Sequence, residues 1–537
     1  MNDSRKHYDV IIIGGGHNGL TCACYLAAAG LDVAVFERRN VLGGAAVTEE
    51  FHPGFRNSIA SYTISLLNPK VIRDLRLAEH GLRIVSRPVN NFLPLPDGRS
   101  LTLTGDAAAD QREVAKFSAP DADALPRYGT MLDAVADLLR EQILKTPPNS
   151  GGGFTDLLRA MTLGWRFEKL PIEVRRDALA LFTKSAGEML DAWFESDPIK
   201  AVFGFDSIVG NFASPYTSGS AYVLLHHVFG EVNGRKGVWG HAIGGMGAIT
   251  QAMAAEARRL GVELFTEAAV ARVNVRRDRV AGITLVDGRE FSARAVAANV
   301  NPKLLYLQLF EPDALDADFL ERMRQWRCGS GTLRMNVALA ELPAFTALPP
   351  GQQPQHGAGI IIAPSLAYMD AAYNDARSEG FSRRPIVEML IPSTLDDSLA
   401  PPGKHVASLF CQQFSPQLPD GRSWDDAREA AADLVIDTVN EYAPNFKASV
   451  LGRQVLTPLD LERTFGLIGG DIFHGALSLD QLFSARPTLG HGDYRGPLPG
   501  LYMCGSGTHP GGGVTGAPGH NAAREIVRDF RRRRLRG

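Results

Sequence analysis

The segment Tyr8–Gly44, YDVIIIGGGHNGLTCACYLAAAGLDVAVFERRNVLGG, leaves this chain few folds to choose from. Val10–Ile13 is an unbroken apolar run, the pattern of a parallel strand buried on both faces. Gly14, Gly16 and Gly19 follow in G-x-G-x-x-G order. In such a turn the first glycine permits the tight reversal and the second lets backbone approach a pyrophosphate. The third lets the helix pack close to the strand. The helix is predicted to end near Gly30, and a second strand, Asp32–Phe36, ends at Glu37. Glu37 lies 18 residues beyond Gly19, close to the roughly 20 at which an acid accepts ribose hydroxyls. A lone glycine match would carry little weight; strand, turn, helix and acid together predict a dinucleotide-binding βαβ unit. The acid disfavours a 2′-phosphate, with Arg38 and Arg39 beside it pulling the other way.

A second glycine pair separates the candidate dinucleotides. Gly43 and Gly44, in RRNVLGGAA, suit a segment passing beneath a ribityl chain and pyrophosphate, where a Cβ would collide. A nicotinamide dehydrogenase has no need of that turn, so FAD is the expected cofactor. Gly245 and Gly247 begin a similar fingerprint, but Thr250 holds the third glycine's place and no buried strand runs into it. That passage reads as a helix start rather than a nicotinamide site.

At 537 residues the chain can bury a large core in two or more domains. Its 56 basic and 59 acidic residues nearly balance, so no general attraction to nucleic acid is expected. No apolar stretch reaches the length of a spanning helix. The first strand starts almost at the N-terminus, which predicts a cytoplasmic protein without a leader peptide. The five cysteines form no C-x-x-C pair and are read as packing residues. The thirteen histidines show no metal-ligand spacing, so no metal is expected.

Residues 82–103 alternate around Asp97-Gly98 and read as a hairpin. From about 108 to 227 the pattern turns helical, with Leu132, Val135, Leu139 and Ile143 on one face. Ala178, Leu181, Phe182 and Ser185 continue that sense in a later helix. Phe154, Leu157, Trp165, Phe167, Trp193 and Phe194 are expected to be helical core, the alternative being a membrane-dipping surface. Four strand-like stretches between 330 and 415 and an amphipathic helix over Ser423–Tyr442 suit a substrate domain. The expected fold class is α/β: a Rossmann-like FAD-binding domain of the two-dinucleotide-binding flavoprotein type, plus a discontinuous α+β substrate domain. Residues 1–80, 236–305 and 455–537 are assigned to the first. Residues 81–235 and 306–454 make the second, with a helical block at 108–230.

Near the C-terminus, Leu501–Cys504 reads as a short buried strand and Gly505–Gly519 as a glycine-rich crossing into a helix. The helix N-terminus would face an anion or a developing negative charge. The basic tail RRRRLRG reads as a solvated helix end, with acidic lipid as an alternative partner.

With these segments in hand, the chain resembles the phytoene desaturase and amine oxidase superfamily of FAD enzymes. GGDIFHGALSLDQLF (469–483) and CGSGTHPGGGVTGAPGHNAA (504–523) resemble a narrower group within it, named for a pyridine nucleotide-disulfide oxidoreductase domain. That name implies a redox disulfide, which this chain has no dithiol motif to form. The resemblance implies noncovalent FAD, with Gly14, Gly16, Gly19, Glu37, Gly43 and Gly44 on its ADP half and ribityl chain, flanked by Arg38 and Ala45. It implies backbone of Val270 at the adenine, Gly505 and Ser506 near the ribityl and pyrophosphate region, and Gly516 and Ala517 presenting the closing helix to the flavin ring. Relatives carry Gly-Asp where this chain has Gly505-Ser506.

The activity expected is dehydrogenation or desaturation of a hydrophobic, carotenoid- or isoprenoid-like small molecule by hydride transfer to flavin N5. Oxygen or a quinone would be the acceptor, and peripheral contact with a membrane remains open. His509, His474 and Asp471 are the candidates for groups beside the ring, none of them assigned as a base. An amine oxidase-like enzyme and an FAD-bound regulatory protein are the alternatives.

Overall fold

Strand pairing brings the two ends of the chain together. The computed structural model describes residues 7–311 and 313–532, with the side chain of His227 left out; the first six residues and the tail from 533 lie outside the described residues. The strand His7–Ile13 pairs in parallel with Val33–Phe36 on one side and Glu290–Ala298 on the other. Glu263–Phe265 extends the sheet beyond Val33–Phe36, and Leu501–Met503 pairs in parallel with the far edge of Glu290–Ala298. The first and last strands therefore flank one central strand, and the loops that follow them leave the same end of the sheet. Parallel pairing needs crossovers, and these are helical. Val10, Ile12, Val33, Val35, Ala295 and Ala297 pack beneath the helices His17–Ala28, Met246–Arg259 and Ala517–Arg531. Ile11, Ile13, Ala34, Phe36, Val296 and Ala298 fill the other face. Burial on both faces is why the first strand reads as a continuous apolar run rather than an alternating one.

A second, seven-stranded sheet is built from strands between residues 91 and 456. Its order is Val450–Leu456, Thr332–Leu339, His405–Phe414, Phe381–Leu390, Gly359–Ile362, Asn91–Pro94, Ser100–Leu103. All neighbours are antiparallel except Gly359–Ile362 with Asn91–Pro94. Its core includes Leu333, Met335, Ile360, Met389 and Leu409, covered by the helix Trp424–Tyr442.

Three local expectations are corrected. The hairpin around Asp97-Gly98 joins only Asn91–Pro94 to Ser100–Leu103; Ile84–Ser86 pairs instead with Gly240–Ala242. Ser185 is not on the helix of Ala178 and Leu181. That helix ends at Thr183, and Ser185 caps the next one through a capping box with Glu188. Among the large apolar residues, Phe194 is core, but the helix Phe154–Glu168 has no buried residue. Phe154 is 72% exposed and Trp165 60%. Met161 and Leu157 on the same helix and Ile172 and Leu179 on the next extend this apolar surface. No helix among the described residues is long and apolar enough to cross a membrane.

Candidate functional site

The glycine turn is held by contacts that admit no side chain. Gly14 adopts φ +95°, and a Cβ on Gly19 would lie 2.2 Å from the Gly14 carbonyl oxygen and 2.9 Å from Asn299 Nδ2. Asn299 donates to that same Gly14 carbonyl (3.2 Å) and its backbone N–H to Ile13 (2.8 Å), so it pins the turn from the adjacent strand. The second glycine pair docks directly on the first. Gly43 N–H donates to Gly15 O (2.9 Å), and a Cβ on Gly44 would meet Gly16 Cα at 3.1 Å. Gly43 also faces Thr250, whose hydroxyl donates to Ala46 O (2.8 Å). The helix started by Gly245 thus backs the glycine pair instead of building a second dinucleotide site.

Glu37 is buried at the end of its strand, where one carboxylate oxygen accepts from Gly15 N–H (2.8 Å) and the other from Arg39 N–H (3.0 Å). Arg38 donates to the Arg463 carbonyl (3.0 Å), and Arg39 pairs with Glu49 (2.7 Å).

A cavity of about 390 Å³ runs along these groups. At one end it is walled by Glu37, Arg38, Val270 and Gly466. Its middle meets Gly14, Gly16, Gly44, Ala45, Asn299 and Ser506. Its inner end is mostly apolar and aromatic, formed by Leu66, Val209, Trp239, Phe410, Phe473 and Tyr62. Ser506 is positioned from both chain ends: Asn18 donates to its hydroxyl (3.1 Å), and Arg486 donates to its carbonyl through Nε (3.0 Å) and Nη2 (2.9 Å).

The other C-terminal candidates stand behind this wall. Gly505 packs on Asn299, where a Cβ would be 3.0 Å from its side-chain oxygen. Gly516 starts the closing helix at φ +72° against Val71 and Thr21, and Ala517 is fully buried. Gly516 and Ala517, expected to present the closing helix to the ring, are not among the cavity-lining residues; Gly513 and Val514, just before the helix, are. The closing helix instead lies on the first helix, so close that a Cβ on Gly519 would meet Asn18 O at 2.2 Å.

Of the three side chains expected beside the ring, His474 alone lines the cavity. It sits in a left-handed turn, φ +59°, with Nδ1 buried and without a hydrogen-bond partner. His509 does not reach the cavity: it stacks on Phe483 at 5.5 Å, and its Nε2 is 3.1 Å from the Gln142 carbonyl. Asp471 is a loop anchor, accepting from Gly329 N–H (2.8 Å) and Phe473 N–H (2.8 Å). Its burial raises its pKa above the usual carboxylate range. The residue missed is His17, the first position of the first helix, which also lines the cavity with Nε2 buried and unpartnered. Burial lowers His17 to about 3, with His474 adding to the effect, and lowers His474 to about 4, with Arg486 adding. Both imidazoles are therefore neutral near pH 7. Its place between Gly16 and Asn18, inside the fingerprint, was the available signal.

These features fit an extended dinucleotide. Unsatisfied polar atoms on His17, His474 and Arg39 border a glycine-lined channel at a helix N-terminus, with a ribose-competent carboxylate at one end.

Comparison with known proteins agrees. Residues 19–527 match the family model of flavin containing amine oxidoreductases. The rat pyridine nucleotide-disulfide oxidoreductase domain-containing protein 2 (Rattus norvegicus) is 44% identical, the match covering 98% of this chain and 94% of the relative. A lycopene-forming phytoene desaturase of Pseudescherichia vulneris is 26% identical over 94% of this chain and 96% of its own. A solved structure of putrescine oxidase bound to putrescine shares the fold, with a TM-score of 0.59 at 17% identity, covering 98% of this chain and 100% of that one. A match over nearly the whole chain, on top of a built dinucleotide channel, makes this chain a member of the flavin containing amine oxidoreductase family, an oxidoreductase whose cofactor is FAD.

Proposed function

We propose that this protein dehydrogenates or desaturates a hydrophobic small molecule, passing electrons through FAD to oxygen or a quinone. One observation carries this reading: the cavity runs without a break from the glycine-lined channel into the wall of Leu66, Val209, Trp239, Phe410 and Phe473. Bound FAD would supply a two-electron acceptor there. Gly14, Gly16, Gly44 and Ala45 would hold it by close backbone approach, with Gly19, Gly43 and Gly505 keeping that backbone in place. Glu37 would take the adenosine ribose, with Arg38 and backbone of Val270 beside it. Ser506 and the imidazoles of His17 and His474 offer hydrogen bonds along the channel. The apolar wall orients the substrate and excludes water, the main needs of a C–H oxidation.

We assign residues 1–80, 236–305 and 455–537 to the FAD-binding domain and the remainder to the substrate domain. An apolar substrate has to be collected from somewhere, and the bare surface of the helix Phe154–Glu168 suits the surface of a membrane. Lys169 sits 3.4 Å over the Trp165 ring, and Arg166 and Arg176 add basic groups suited to acidic headgroups.

The test is anaerobic addition of carotenoids, isoprenoids and amines to the FAD-loaded protein. Bleaching of the flavin absorbance by the apolar compounds supports the reading. Bleaching by amines alone makes it an amine oxidase, and no bleaching by any of them points to a protein that binds FAD without turnover. Cosedimentation with phosphatidylglycerol vesicles tests the surface: Leu157→Asp with Trp165→Asp is expected to abolish binding, and unchanged binding refutes that role.

A further inference from the structure

The inner end of the cavity carries one polar device that the cofactor channel does not use. Arg334, Phe410 and Glu388 are direct cross-strand neighbours in the mixed sheet, so they form one row on one face. Tyr62, from the segment whose Ser61 N–H donates to Ala45 O (2.9 Å), lies across this row. Its ring stacks on Phe410 with centroids 4.8 Å apart, and the Arg334 guanidinium carbon lies 4.6 Å from its centroid. Its hydroxyl donates to Glu388 Oε2.

The surrounding charges are tied down elsewhere. Arg334 donates to Ala60 O (2.9 Å), to Leu409 O and to Ser408 Oγ (2.8 Å). Arg87 donates to Thr63 Oγ1, which itself donates to Gly240 O (3.3 Å). Glu388 is 7% exposed. Among the described residues no cation lies within ion-pair distance of it. A glutamine would serve a merely structural hydrogen bond at far lower cost than a buried carboxylate. What the arrangement provides is a phenol at the cavity wall whose own proton is already directed to a carboxylate, leaving its oxygen free to accept.

We propose that Tyr62 and Glu388 are the proton acceptor of the reaction: a substrate proton passes to Tyr62 Oη as the Tyr62 proton passes to Glu388. The proposal rests on the dehydrogenation reading above. Bound FAD would take up the hydride with its electron pair. The proton on the neighbouring atom leaves its bonding pair behind to form the new double bond, and Glu388 ends as the neutral acid. Burial raises the Glu388 pKa, which moves its proton affinity toward the working pH, while Arg87, Arg334 and Tyr62 oppose that rise. Asp206 is the other carboxyl in the cluster, itself pushed up by burial and by Glu388.

The test uses FAD-loaded wild type, Tyr62→Phe, Glu388→Gln and Glu388→Asp, each checked for retained flavin absorbance. The first readout needs no turnover. 4-Nitrophenol, whose anion is yellow, is titrated in below its own ionisation range. Wild type is expected to bind it as the phenolate, its proton taken up by the pair. Tyr62→Phe and Glu388→Gln should bind it at least tenfold more weakly and colourless, with Glu388→Asp restoring colour. No phenolate on wild type, or equal colour in all four proteins, overturns the proposal. The second readout is the rate of flavin bleaching by whichever compound the screen finds: about 100-fold slower in Tyr62→Phe and Glu388→Gln. Equal rates also overturn it. If nitrophenol ionises on wild type alone but no apolar compound bleaches the flavin, the dehydrogenation reading fails and the proton acceptor stands.

Discussion

Asp206→Asn should make this protein less sensitive to alkaline pH, and the size of the effect follows from the structure. Asp206 ends the helix Asp197–Asp206, and burial first, then the nearby Glu388, push its pKa from 3.8 up to about 8. An acid with a raised folded pKa contributes stability that is fully present below its unfolded value and is lost as pH rises toward the folded value. The loss for Asp206 therefore spans about pH 4 to 8. Each unit is worth about 1.36 kcal/mol, so between pH 5 and pH 8 the wild type should lose roughly 4 kcal/mol through this one group. For a chain of this length, at about 2.1 cal/mol/K per residue, that is roughly 3–4 °C in Tm. Asparagine cannot ionise, so any constant cost of its amide cancels in the pH dependence. The assay is thermal melting of both FAD-loaded proteins from pH 5 to pH 9. The variant's advantage should grow with pH and level off near pH 8. Parallel curves would refute the assignment of Asp206 as a carboxyl held protonated by its surroundings.

Gly19→Ala should fold but fail to retain FAD, because its Cβ would drive into the Gly14 carbonyl at 2.2 Å; flavin absorbance after gel filtration reads this directly. Glu37→Gln keeps the shape but loses the charged acceptor of Gly15 N–H and of the ribose. We expect FAD affinity to fall about 10- to 100-fold in titrations of the apoprotein. Arg486→Lys should destabilise by about 3 kcal/mol or more in denaturant unfolding. One ammonium cannot replace a guanidinium that donates to the carbonyls of Phe473, Ala476, Gln481 and Ser506.

The dinucleotide channel was largely legible because its signals are local. Gly14, Gly16, Gly19, Gly43 and Gly44 lie within 31 residues, and each is a backbone requirement written at its own position. The C-terminal histidines were not legible in the same way. His474 and His509 sit in similar glycine-rich strings, yet one lines the cavity while the other stacks on Phe483. Which of them faces the channel depends on how the loops around Arg486 fold, and no spacing rule encodes that. The exposed helix Phe154–Glu168 misled for a related reason. Its apolar residues have the composition of a core helix, and only the lack of any buried residue on it reveals a surface.

The order of residues alone settles the buried parallel strand, the turn that no side chain can enter, and the acid that ends the second strand. These follow from sterics and hydrophobic periodicity acting over a few residues. Assembly of the reaction chamber is a different matter. Tyr62 and Glu388 are 326 residues apart, and they meet because strand register places Glu388 beside Phe410, on which the Tyr62 ring stacks. Pairing of that kind is decided by the burial of whole sheets, so the Tyr62–Glu388 contact exists only in the folded chain.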